Sequence, residues 1–206
     1  MCCRYFYDRS EEIMQWMAKQ AEESRLTECF RERTGHELTC SGEVFPAMVV
    51  PVLATSRTGE QKCFPMQWGY HIDDRRMIVN ARVETAAEKT LFFRSWQNRR
   101  CAVPAAWYYE WEHFILPNGR KENGQKFSFR PEGGSITWLC GLYRMEDGLP
   151  RFVILTREAS EKIASIHDRM PLVLREQDVP EWILPSGDAA GIAGRALTEM
   201  LIQKAG

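Results

Sequence analysis

Between residues 101 and 156 the chain lays down five strand signals in succession, at 101–104, 107–114, 126–129, 136–143 and 151–156. Turns rich in Gly and Asn separate several of them, notably Pro117-Asn118-Gly119 and Glu132-Gly133-Gly134. Strands outnumber helices along the chain and do not alternate with them. The expected class is therefore α+β with a largely antiparallel sheet, and a doubly wound fold is excluded.

The flanks fill in around this block. Residues 2–7 are short and aromatic and read as an extended segment. Asp8 with Glu11 can cap a helix whose apolar stripe is Ile13, Met17 and Ala21. Residues 10–32 hold six acidic and three basic side chains, as a solvated acidic face would. Residues 44–54 are apolar and punctuated by proline, as in an extended segment or edge strand. Residues 62–70 and 77–83 read as further strands. Thr85-Ala86-Ala87-Glu88 has the form of a capping box opening a helix through Leu91, Phe92 and Trp96. After Thr156 a short helix, a segment at 166–174, a helix near 179–184 and a helical tail from Asp188 are expected.

Composition removes several function classes. The 206 residues are 44% hydrophobic and 27% charged, which excludes a mainly disordered chain, and the net charge of −1 excludes a globally basic protein but not a local basic groove. No apolar run approaches the roughly 18 residues that span a bilayer. Arg4, Asp8 and Arg9 stand where an export signal needs apolar residues, so a cytoplasmic location and no membrane partner are expected. The seven cysteines then read as thiols rather than a disulfide framework. Cys29, His36 and Cys40 lack metal-ligand spacing, and there is no P-loop, GxGxxG or GxSxG. No metal and no cofactor are expected.

Four features carry chemistry. Cys2 becomes the first residue if Met1 is removed, and the chain then begins with an amine and a thiol on adjacent carbons, with ordinary pKa values of about 7.7–8.0 and about 8.5. Such a pair condenses with an aldehyde to an imine and closes a thiazolidine ring by thiol addition. The same end could attack an amide, and Cys2 could also be a small buried residue. Residues 75–100 hold seven basic side chains against Glu84 and Glu88, interleaved with Phe92, Phe93 and Trp96. That composition suits a single-stranded nucleic acid, or an amphipathic helix with its arginines in solvent. In Trp107-Tyr108-Tyr109-Glu110-Trp111-Glu112, alternation sets Tyr108, Glu110 and Glu112 on one face, where a carboxylate among aromatics is a candidate proton donor or acceptor, or an exposed acidic face. His167, in Ile166-His167-Asp168-Arg169-Met170-Pro171, is a candidate general acid near pH 7, or a surface histidine. His36, His71 and His113 have no comparable context.

Taken in order, Met1-Cys2-Cys3-Arg4-Tyr5, Gln67-Trp68-Gly69-Tyr70, Asn80-Ala81-Arg82-Val83-Glu84-Thr85, Arg100-Cys101-Ala102-Val103-Pro104-Ala105, Tyr108-Tyr109-Glu110-Trp111 and Ile166-His167-Asp168-Arg169-Met170-Pro171 resemble the SRAP family, the SOS response-associated peptidase or abasic-site-processing proteins. The resemblance runs from residue 2 to about 174. It implies a single domain over residues 1–206 on a largely antiparallel, barrel-like β-sheet core with flanking helices, residues 185–206 forming a variable tail. It implies a monomer that binds abasic sites in single-stranded DNA during the DNA-damage response and links to them covalently as a thiazolidine. The roles it implies are amine and thiol from Cys2, hydrogen bonding from Asn80, proton handling at the amine by Glu110 and acid action at the sugar by His167. It also implies phosphate clamps at Arg4, Arg82 and Arg169, and Trp68 packed beside a base. The rival readings are an N-terminal-nucleophile thiol peptidase or amidohydrolase and a non-catalytic single-strand-binding module. Cys3 stands where relatives usually carry Gly, Ala106-Trp107 replaces an acidic-Gly pair, and residues 71–76 replace a Pro- and Trp-containing loop.

Overall fold

The structure is a computed structural model and describes residues 3–73, 76–116 and 118–205. Strand β1 (Tyr5–Tyr7) leads into helices α1 (Glu12–Glu22) and α2 (Arg25–Thr34). Then come β2 (Gly42–Val44), β3 (Val49–Thr55), β4 (Gln61–Trp68), β5 (Tyr70–His71), β6 (Met77–Ile78) and β7 (Asn80–Arg82). Helices α3 (Val83–Ala86) and α4 (Thr90–Asn98) precede the strands β8 (Arg100–Ala105), β9 (Trp107–Ile115), β10 (Lys121–Pro131), β11 (Thr137–Glu146) and β12 (Leu149–Glu158). The chain continues through α5 (Glu161–Ala164), β13 (Arg169–Pro171), β14 (Val173–Leu174), α6 (Val179–Ile183), α7 (Ala189–Gly194) and β15 (Met200–Lys204).

The class is α+β, as the strand spacing predicts. Strands β12, β4, β3, β8 and β11 pair in that order and β11 pairs back to β12, so the five close on themselves. Within this ring only the β12–β4 contact is parallel. Closure leaves those strands no free edge, and their inward side chains form the core. β3 and β8 are buried along nearly their whole length. The edge position expected for residues 44–54 is therefore overturned: β3 is an inner strand, between β4 and β8. Its proline is tolerated because Pro51 sits opposite Pro65, while β8 reaches β3 only at Leu53 and Ala54.

A second, antiparallel sheet runs β15-β10-β9-β1-β2. Helix α1 covers the barrel with Met14, Met17, Ala18 and Ala21, and Ile13 packs half-buried against the same core. Its N-terminus carries no side-chain cap, and Asp8 instead accepts from Ser10 N–H at 3.1 Å. The single helix expected from residue 85 is two. Thr85 C=O accepts from both Glu88 and Lys89 N–H and ends α3, and Lys89 is extended before α4 begins. The tail from Asp188 gives helix α7, capped by Asp188, but ends as β15, because pairing with the open side of β10 overrides weak helical propensity. No helix among the described residues is long and apolar enough to cross a membrane.

Candidate active site

Alternation along β9 places Tyr108 and Glu110 on one inward face. Tyr108 is fully buried and stacks on Phe129 with ring centroids 4.9 Å apart. Glu110 is 2% exposed, so the alternative of an exposed acidic strand falls. Burial disfavours its carboxylate and, with the nearby charge of Asp168, pushes its pKa up to about 7. β1 lies alongside, with Tyr5 opposite Tyr108, and Arg4 C=O accepts from Tyr109 N–H at 2.9 Å. Continuing that register brings Cys3 opposite Glu110. Partial desolvation and the Glu110 charge hold the Cys3 thiol above its usual range, which disfavours its thiolate as a competing nucleophile. Cys2 lies outside the described residues.

His167 follows α5 and is 8% exposed. Arg169 N–H donates to its Nδ1 at 2.9 Å, which leaves the ring proton of the neutral imidazole on Nε2. Burial lowers its pKa to about 4. Asp168 Oδ1 also lies 2.9 Å from Nδ1, but that contact is an ion pair only for a protonated ring, which burial opposes. The expectation of a general acid near pH 7 is corrected accordingly: at that pH His167 is neutral and offers an Nε2–H. His113 meets it edge-on, centroids 4.7 Å apart. Nothing in the local sequence signalled His113, because the contact joins strand β9 to a segment more than fifty residues away.

Strand β12 gathers the remaining parts. Asn80 on β7 pairs with Ile154 and Arg82 with Thr156, while Arg169 on β13 pairs with Glu158. The site thus lies on a seam, with Cys3, Arg4 and Glu110 from the second sheet and Asn80, Arg82 and His167 from around the end of β12. Asn80 is half-buried and Arg82 exposed.

Two expected DNA contacts take other roles. Arg169 is buried and its guanidinium grips Glu84 with two bonds of 2.8 and 2.9 Å, with a third to Thr156 C=O at 2.8 Å. It ties α3 to β13, and the same bonds hold the Glu84 carboxyl below its usual range. Trp68 is fully buried, donates its indole N–H to Val79 C=O at 2.9 Å, and packs on Tyr5 and Phe152, so no face is left for a base. Arg4 keeps partial exposure. Its guanidinium lies over Phe45 at 4.4 Å and Trp111 at 4.9 Å and pairs with Glu43 at 3.3 Å. Glu43 also receives Lys126 at 2.6 Å, a cation that sits 3.9 Å over Tyr109. Neither Glu43 nor Lys126 was visible as a site residue from the sequence.

The basic stretch at 75–100 divides in the same way. Arg100 is buried, its guanidinium held by carbonyls of Trp96 (2.6 Å), Trp182 (2.7 Å), Gly187 (3.1 Å) and Leu184. Helix α4 buries Phe92 and leaves Phe93, Arg94 and Arg99 at the surface, and Arg75 lies outside the described residues. Among the described residues no group of three or more His, Cys, Asp or Glu could hold a metal ion.

Known proteins resemble the chain in sequence and in fold. The abasic site processing protein YedK of Escherichia coli (strain K12) is 33% identical over 128 residues, 58% of this chain and 54% of that protein. The abasic site processing protein YoaM of Bacillus subtilis (strain 168) is 33% identical over 115 residues, 52% of this chain and 48% of that one. The chain spans about half the length of the curated relatives it matches. In fold it is similar to a protein from Bacteroides thetaiotaomicron, with a TM-score of 0.70 at 21% identity over 98% of this chain and 91% of the other. It is also similar to a phage-related protein from Bordetella bronchiseptica, with a TM-score of 0.69 at 18% identity over 99% and 94%. Residues 1–203 match the sequence model of the family described as SOS response associated peptidase, and the chain belongs to that family, SRAP.

Proposed function

We propose that this protein processes abasic sites in DNA, capturing the open-chain sugar aldehyde of a lesion in single-stranded DNA through Cys2 after removal of Met1. The terminal amine adds to the aldehyde carbon, water leaves, and the imine forms. The Cys2 sulfur then adds to the imine carbon while its proton passes to the nitrogen, closing a thiazolidine. The observation that carries this reading is Glu110: a carboxyl buried at the seam beside Cys3, its pKa raised by burial to about 7, placed where an amine and a thiol must exchange protons. The names of the curated relatives support the lesion as substrate. Asn80 positions the reacting end. His167, neutral, donates from Nε2 to the sugar oxygen rather than protonating it as an imidazolium. Arg82, with Arg4, meets the flanking phosphates.

The test is intact mass and a denaturing gel after mixing the purified chain with oligonucleotides carrying either a true abasic aldehyde or a tetrahydrofuran analogue. The expected result is loss of Met1 and a denaturation-stable adduct with the aldehyde alone, abolished in Cys2→Ala. A stable adduct in Cys2→Ala, or with the analogue, would overturn the assignment.

A further inference from the structure

A groove of about 490 Å³ lies between α4 and the end of β11, away from the seam. Its walls are Thr90, Leu91, Arg94, Arg99, Arg144 and Met145, with no carboxylate among the described residues that line it. Arg94 and Arg99 are exposed and form no ion pair with any described residue. Arg144 is held in place: its guanidinium lies 4.4 Å over the Tyr70 ring, donates to His71 C=O at 2.7 Å and pairs with Glu146 at 2.7 Å. Glu146 is itself shared with Arg151, at 2.9 Å. Three guanidiniums around one open groove, on a chain whose net charge is −1, form a local cationic site that the global balance conceals.

We infer that this groove is a second docking site for nucleic acid, taking the phosphodiester backbone some distance along the strand from the reacting sugar. Guanidinium forks match phosphate oxygens, and the apolar Leu91 and Met145 suit the sugar faces between them. The spacing follows from β12. Arg151, beside the groove's network, and Thr156, beside Arg82, stand five residues apart on that strand, about 17 Å. Arg82 leads directly through α3 into α4, so the exposed cations follow one course of the chain. The inference rests on the reading that DNA is the partner, and it is independent of the chemistry at Cys2.

The experiment measures anisotropy of a fluorescein-labelled undamaged 20-mer at several salt concentrations, for the wild-type chain and two double variants. In Arg94→Gln/Arg99→Gln, affinity is expected to fall about 10-fold near 0.1 M salt, and the slope of log K against log salt to shrink by about 1.4. Arg25→Gln/Arg57→Gln removes the same charge from exposed positions elsewhere and is expected to leave both nearly unchanged. Equal loss in the two variants, or none in the first, overturns the groove as a docking site. Failure of the wild-type chain to bind the 20-mer at all overturns this inference, while the adduct with the abasic aldehyde decides separately whether DNA is the partner.

Discussion

The seam and the α4 groove both carry charge, and they hold it in opposite ways. At the seam three ionisable groups are buried and committed: Glu110 is driven towards its neutral form, His167 is kept neutral, and Arg169 is locked onto Glu84. In the groove Arg94 and Arg99 stand in water without ion-pair partners among the described residues. Burial makes a charge costly and therefore selective in which proton state it adopts, which suits chemistry. Exposure leaves a charge inexpensive, fully ionised and screened by salt, which suits adjustable attachment. A substitution at one of the buried seam groups should change rate or stability, whereas one in the groove should change affinity alone.

The largest expected effect is on rate. Glu110→Gln keeps the shape and loses the proton acceptor, so adduct formation with an abasic oligonucleotide should slow about 100-fold, read as band formation on denaturing gels over time. Undiminished formation would make Glu110 a packing residue and dissolve the contrast. Next comes Arg169→Leu, which removes the tie between α3 and β13. Urea unfolding should show a loss of about 2–3 kcal/mol, with an unchanged salt slope for DNA binding. A salt slope reduced by about 0.7 with stability intact would return Arg169 to the phosphate contacts.

The third is a pH effect. Glu110 keeps in the folded chain a proton that the unfolded chain has released above pH 4.5, so its contribution to stability declines as pH rises from 4.5 through 7. His167 refuses in the folded chain a proton that the unfolded chain takes up below pH 6.5, so its contribution declines as pH falls from 6.5 through 4. Between pH 4.5 and 6.5 the two slopes oppose each other. Glu110→Gln leaves only the histidine slope, and the variant should gain about 1–2 kcal/mol relative to the wild type as pH rises from 4.5 to 6.5, measured by urea titration at each pH. Parallel curves for the two proteins would show that the raised carboxyl does not titrate there.

Much of this arrangement was legible from residue order. The period-2 pattern around Tyr108 and Glu110 pointed to a carboxylate among aromatics, and the turn-separated strands pointed to the antiparallel core. What escaped were the partnerships that only the tertiary fold creates. Arg169 could be picked out from its motif, but its partner Glu84 lies 85 residues away, and without that partner a buried tie reads as a free clamp. The resemblance set Trp68 beside a base, and nothing local to that residue shows the carbonyl of Val79 that claims its N–H. The break between α3 and α4 was hidden by a capping box whose Thr85 acts through its backbone carbonyl, ending one helix instead of opening another. β15 was invisible because its reason for extending is the open side of β10.

Strand β12 is bonded along its length by β11, β4, β7 and β13, and the seam residues Asn80, Arg82 and Arg169 are strung on those neighbours. Amide protons of Ile154, Leu155 and Thr156 should therefore be among the last to exchange with deuterated solvent, opening only when the whole molecule does. Heating or denaturant should then scatter Asn80, Arg82 and Arg169 only when the fold itself goes, whereas the terminal strand β1 hangs on the other sheet and can open without them.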